Sequence, residues 1–148
     1  MSDFVDKARA AERAMREVFE ETPLQRNDHL SERYGAEILL KREDLTPVRS
    51  YKLRGAFNAM RKVLASGGST HFVCASAGNH AQGVAMSARE LGVKATIFMP
   101  VTTPQIKVRA VRALGADTRL CGDDYDAACE QAIGFSRQTG GYFIHPFD

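Results

Sequence analysis

The chain has 148 residues, 44% of them hydrophobic and 26% charged, and a formal net charge of +2 that is spread along its length. These values are ordinary for a globular domain and exclude a disordered chain, a coiled coil and a basic nucleic-acid-binding stripe. At this length a single fold buries roughly 68–70% of its unfolded surface, so core size is not limiting.

Ser2 is placed to cap a first helix whose apolar face is Phe4, Val5, Ala8, Ala11, Met15, Val18 and Phe19, with Thr22-Pro23 as its stop. Residues 24–34 mix polar and apolar types without a period. Ala36 to Lys41 is a short strand candidate, and Arg42 to Arg49 a loop stiffened by Pro47. Leu53, Ala56, Phe57, Met60 and Leu64 then give helical spacing up to Gly67-Gly68, which puts Lys52 in the first turn. From there strands and helices alternate. His71–Ala75, Val93–Met99, Thr118–Cys121 and Tyr142–Ile144 are predicted strands. A helix on Ala81, Val84, Ala85, Ala88 and Leu91 ends at Gly92. A second is capped by Thr103, with Pro104 at its first position, and a third begins after Asp123 and Asp124 with Tyr125, Ala128, Cys129, Ala132 and Phe135 as its buried stripe. Such alternation implies βαβ units and therefore an α/β fold, a three-layer αβα parallel sheet.

Two stretches carry chemistry. Lys52 lies where the helix dipole disfavours an ammonium, and with burial the amine's pKa is expected to fall, making it a nucleophile toward carbonyls. Ser76-Ala77-Gly78-Asn79-His80-Ala81-Gln82-Gly83 follows a strand and opens a helix, so its backbone N–H groups are placed to meet an anion. The glycine spacing is neither a P-loop nor G-x-G-x-x-G, so a carboxylate fits as well as a phosphate. The plain alternatives are that Lys52 is a surface residue and that Ser76 and Asn79 only cap the helix. His80 is expected to contribute only its backbone N–H. The histidines and cysteines show no metal-ligand spacing, and no G-x-S-x-G elbow is present.

Together, Glu43 to Ala56 and Ser76 to Gly83 resemble the N-terminal part of the threonine dehydratase (threonine deaminase) branch of the fold-type-II pyridoxal-phosphate enzymes, a group with a tryptophan-synthase-β-like fold. The likeness runs from Thr22-Pro23-Leu24 to His145-Pro146-Phe147-Asp148, and Leu53-Arg54-Gly55-Ala56 is similar to the dehydratase and racemase branch. The resemblance implies pyridoxal 5'-phosphate (PLP) held by Lys52 as a Schiff base. It also implies Tyr51 against the cofactor ring, where the family commonly has Phe, and Asn79 on the phenolic oxygen. Ser76, Ala77, Gly78, Asn79 and His80 would grip the substrate carboxylate. The implied reaction converts L-threonine to 2-oxobutanoate and ammonia in isoleucine biosynthesis, with Lys52 removing the α-proton. Serine racemase or serine dehydratase is the alternative within enzymes, and an inactive anion-binding αβα fragment is the alternative outside them.

The resemblance further implies that residues 1–50 are the N-terminal part of a large domain, that residues 51–142 form the small αβα domain, and that residues 143–148 begin the return to the large one. Gly67-Gly68 and Gly140-Gly141 end helices and are not the family's phosphate-binding loop, so a truncated chain that binds PLP weakly and turns over negligibly is expected. An amino acid is the expected partner, with neither nucleic acid nor membrane, and a homo-oligomer is expected for the full-length form. An odd cysteine count, apolar runs shorter than about 18 residues and the lack of a signal pattern at Met1-Ser2-Asp3 suggest a reducing cytoplasm.

Overall fold

The computed structural model describes residues 2–147, and of Ser2 only the backbone, so the expected Ser2 cap lies outside the described side chains. The residues fall into two compact units, Met1–Tyr51 and Lys52–Asp148.

In the first unit, helix α1 (Ser2–Arg16) is shorter than its apolar spacing suggests. Met15 and Phe19 are buried while Phe4, Val5 and Ala8 are exposed, and the amides of Val18 and Phe19 both turn back to the Met15 carbonyl. Strands β1 (Leu24–Arg26) and β2 (Leu39–Lys41) pair antiparallel, with Leu24 opposite Lys41. Between them lies α2 (Asp28–Tyr34), whose start is held by Asn27 Oδ1 accepting from the Leu30 amide at 2.9 Å. Neither β1 nor α2 is legible as a periodic pattern, because three and seven residues are too few to show one.

The second unit carries the chemistry. Its strands β3 (His71–Ala75), β4 (Lys94–Met99), β5 (Asp117–Leu120) and β6 (Tyr142–Phe143) form one sheet in the order β5-β4-β3-β6. Every pairing in it is parallel. Helix α3 (Lys52–Ala65) precedes β3, and α4 (Asn79–Leu91), α5 (Gln105–Ala113) and α6 (Tyr125–Thr139) connect the strands. The chain steps outward from β3 to β5, then returns to the far side of β3. Right-handed crossovers in opposite directions place their helices on opposite faces, and the core divides accordingly. Met60, Val84 and Val108 of α3, α4 and α5 pack with Phe72, Cys74 and Ile97, whereas Ala132 of α6 packs with Val73, Ala75 and Phe98. Alternate residues of β3 thus serve opposite layers, as the pleat requires. The expected three-layer parallel αβα arrangement is the observed one.

One expectation at a helix start fails. Thr103 does not cap α5: Pro104 occupies the N-cap position, with no side-chain cap, and the Thr103 hydroxyl is buried without a hydrogen-bond partner. Gly67 and Gly140, by contrast, adopt positive φ just past α3 and α6, the helix-ending role expected of the two glycine doublets.

Candidate active site

A parallel sheet offers its ligand site beyond the carboxyl ends of the strands, where strand order reverses. Here that point lies between β3 and β6. The turn after β3 and the segment after β6 emerge side by side, and α3, which runs into β3 from the opposite direction, presents its first residue to the same end of the sheet.

Lys52 is that first residue. Its Nζ donates to the Pro146 carbonyl at 2.7 Å and lies 5.0 Å from the centre of the Phe147 ring. The approach of α4 to this end of α3 depends on Gly83. A Cβ built there would lie 3.1 Å from the Lys52 carbonyl oxygen and 3.2 Å from the Leu53 nitrogen, closer than packed atoms ordinarily come. Glycine therefore lets the two helices meet backbone to backbone at the lysine.

At the start of α4 the hydrogen bonds divide into two sets. The Ser76 amide donates to the Phe98 carbonyl at 3.0 Å, continuing the sheet, and the Gly78 amide donates to the Ser76 hydroxyl at 3.2 Å. Those two donors, expected to face an anion, are engaged within the chain. No side chain caps the helix. The N–H groups of Ala77, Asn79, His80 and Ala81 have no hydrogen bond among the described residues, so neither Ser76 nor Asn79 is the helix cap of the plain alternative. At Gly78 a Cβ would meet no atom of the chain within 4 Å, so glycine there is not demanded by internal packing.

Lys52, Ala75, Ser76, His80, Tyr125, Pro146 and Phe147 line one cavity of about 330 Å³. Of the residues singled out in the sequence, Lys52, Ser76 and His80 share this cavity. Ala77, Gly78 and Asn79 sit in the adjoining turn without lining it, and Asn79 is exposed. Tyr51 is 61% exposed.

Two side chains were missed. His80 is not confined to its backbone role: the residue is 6% exposed, and its imidazole Nε2 lies 3.1 Å from the Ile144 carbonyl oxygen. Burial pushes its pKa below the ordinary histidine value; the hydrogen bond to Ile144 opposes this, and the charges of Lys52 and His145 add to it. Tyr125, taken as part of a buried stripe, instead brings an aromatic ring from α6 to the cavity wall. Partial burial, and then its hydrogen bond with Cys129, raise the phenol's pKa. Its position directly after the cap residue Asp124, at a strand's carboxyl end, is the signal that could have found it. No group of three or more His, Cys, Asp or Glu residues able to hold a metal ion occurs among the described residues.

The sequence pattern of a family described as "Pyridoxal-phosphate dependent enzyme" matches residues 15–148. The chain belongs to that family. It is 52% identical over 132 residues to the chloroplastic biosynthetic threonine dehydratase 1 of Solanum lycopersicum, a match covering 89% of this chain and 22% of that protein. With the biosynthetic L-threonine dehydratase of Bacillus subtilis it shares 49% over 141 residues, covering 93% of this chain and 33% of that one. In three dimensions it superposes on the processed form of threonine deaminase isoform 2 from Solanum lycopersicum with a TM-score of 0.89 at 43% identity, over 100% of this chain and 41% of the other. The resemblance to threonine dehydratase first seen in two motifs thus extends along nearly the whole chain. The chain spans about a fifth to a third of the length of these curated relatives.

Proposed function

We propose that the chain serves PLP-dependent dehydration and deamination of L-threonine to 2-oxobutanoate and ammonia, with Lys52 as the cofactor lysine. The observation that carries this reading is the meeting of the Lys52 amine with an uncapped helix start in one cavity. The residues suit the group: an amine to bond its carbonyl, apolar walls from Ala75, Pro146 and Phe147, and an aromatic ring from Tyr125. When bound, PLP supplies an electron sink for negative charge developing at the substrate's Cα.

The remaining work belongs to the chain's own side chains and backbone. Lys52 Nζ, once neutral and free of the cofactor, takes the proton from Cα, a role for which a positioned base contributes about 10²–10⁴-fold. The N–H groups of Ala77, Asn79 and His80, with the positive end of α4 and the Ser76 hydroxyl, orient the substrate carboxylate, and Gly78 lets it approach the backbone. Asn79 would hydrogen-bond the cofactor's phenolic oxygen and Tyr51 would offer a flat apolar face to its ring.

In the same reading residues 1–50 belong to a large domain, 51–142 to the small one and 143–148 to the return between them, and the full-length protein is a homo-oligomer. The three free cysteines fit a reducing cytoplasm, and no helix among the described residues is long and apolar enough to cross a membrane.

The test is to incubate the chain with PLP, reduce with borohydride and map the modified peptide. Modification concentrated at Lys52, and absent in Lys52→Ala, is expected; label scattered over several lysines would sink the assignment. Comparing turnover of threonine with that of serine, and assaying for D-serine, separates the dehydratase from the racemase.

A further inference from the structure

We infer that His80 is a positioning residue, whose imidazole braces the segment after β6 against the first turn of α4 and so sets the wall of the cavity that faces the Lys52 amine. Strand β6 pairs with β3 through only two residues, Tyr142 and Phe143 opposite Phe72 and Val73. A two-residue strand is weakly held by its ladder, yet the segment that leaves it supplies Pro146 and Phe147 to the cavity.

Ile144 supplies the missing support, because it is bound on both sides. Its amide donates to the Val73 carbonyl at 2.8 Å, extending the sheet by one bond, and its carbonyl oxygen lies 3.1 Å from His80 Nε2. A carbonyl only accepts, so Nε2 is assigned the proton. Burial lowers the ring's pKa from the ordinary histidine value, while the hydrogen bond to the Ile144 carbonyl acts in the opposite direction. Two residues further on, the Pro146 carbonyl accepts from Lys52 Nζ at 2.7 Å. A continuous path therefore runs from α4 through His80, Ile144 and Pro146 to the amine, crossing the point where strand order reverses. The catalytic consequence rests on the proposed role of Lys52; the brace itself does not.

The experiment compares wild type, His80→Leu and His80→Gln in the full chain, because the glutamine amide places an N–H near the position of Nε2. Amide hydrogen exchange at Ile144 and Phe147 is measured against exchange at Val73 and Ile97, and borohydride-trapped PLP at Lys52 is quantified in parallel. His80→Leu is expected to speed exchange at Ile144 and Phe147 by about 3- to 10-fold, the loss of one hydrogen bond, with Val73 and Ile97 unchanged. Trapping at Lys52 should fall, and His80→Gln should restore both. Unchanged exchange in His80→Leu, equal acceleration at Val73 and Ile97, or a glutamine variant no better than leucine would each overturn the brace. Should wild type itself not be trapped at Lys52, the proposed function fails while the exchange data still decide the role of His80.

Discussion

Helices α4 and α6 both begin at the carboxyl end of the same parallel sheet, yet their first turns are finished in opposite ways. At α6 the Asp124 carboxylate accepts from the Ala127 amide at 2.9 Å, and Asp126 adds a second negative charge in the first turn. The dipole there meets two carboxylates and one first-turn donor is bonded by the helix's own cap side chain. At α4 the cap position is Gly78, no side chain bonds the first amides, and no acidic residue lies in the first turn. The first turns of both helices reach the cavity of Lys52, through His80 of α4 and Tyr125 of α6, but only α4 brings amides that no side chain caps. A helix start that caps itself can offer a side chain to a ligand, whereas one left unfinished beside an amine is where a negatively charged ligand gains most.

The contrast is broken most severely at Gly83. Valine at this position should force α4 from the start of α3 and destabilise the chain by about 1–3 kcal/mol, the range for overpacking. A lowered melting temperature together with lost trapping at Lys52 would confirm that the helix contact seats the amine beside the turn. Unchanged stability would show that α3 and α4 do not depend on that close approach.

Exchanging the two helix starts gives smaller effects. Asp124→Ala should destabilise by about 1 kcal/mol in a denaturant titration, with PLP trapping at Lys52 unaffected. Gly78→Asp should do the reverse, gaining a few tenths of a kcal/mol at most while weakening the binding of a carboxylate substrate, because the new side chain occupies the donors the ligand needs. Equal effects of Gly78→Asp and Asp124→Ala on ligand binding would remove the distinction between the two helices.

The smallest effect is a pH dependence. His80 has a folded-state pKa depressed from 6.5, chiefly by burial. Between that lowered value and about 6.5 the unfolded chain binds more protons, so stability rises with pH through this window and is fully present above it. Unfolding midpoints measured from pH 5 to 7.5 should climb more steeply for wild type than for His80→Gln. Parallel slopes would mean that the imidazole is not held neutral at the open helix.

Much of this was legible without coordinates. Strand β3 occupies the predicted residues, β4 and β5 differ from theirs by a residue at their ends, and Gly92 closes α4 at φ 66. The failures have specific causes. Thr103-Pro104 carries the pattern of a capped start, but burial took the threonine hydroxyl out of reach of the helix. The apolar spacing of α1 marks a face without saying how much of it finds a partner, and only Met15 and Phe19 show where burial occurs.

What the residues alone determined is local: a lysine opening one helix, a glycine-bearing turn opening another, and the alternation that makes the sheet parallel, because each depends on neighbours within a few positions. What only the tertiary structure decided is how distant segments finish the site. His80 meets a carbonyl 64 residues along the chain, Lys52 one 94 residues along, and Tyr125 arrives from the opposite layer of the sheet. No spacing rule encodes such pairings, since they exist only once strand order has reversed between β3 and β6 and brought the ends of those strands together.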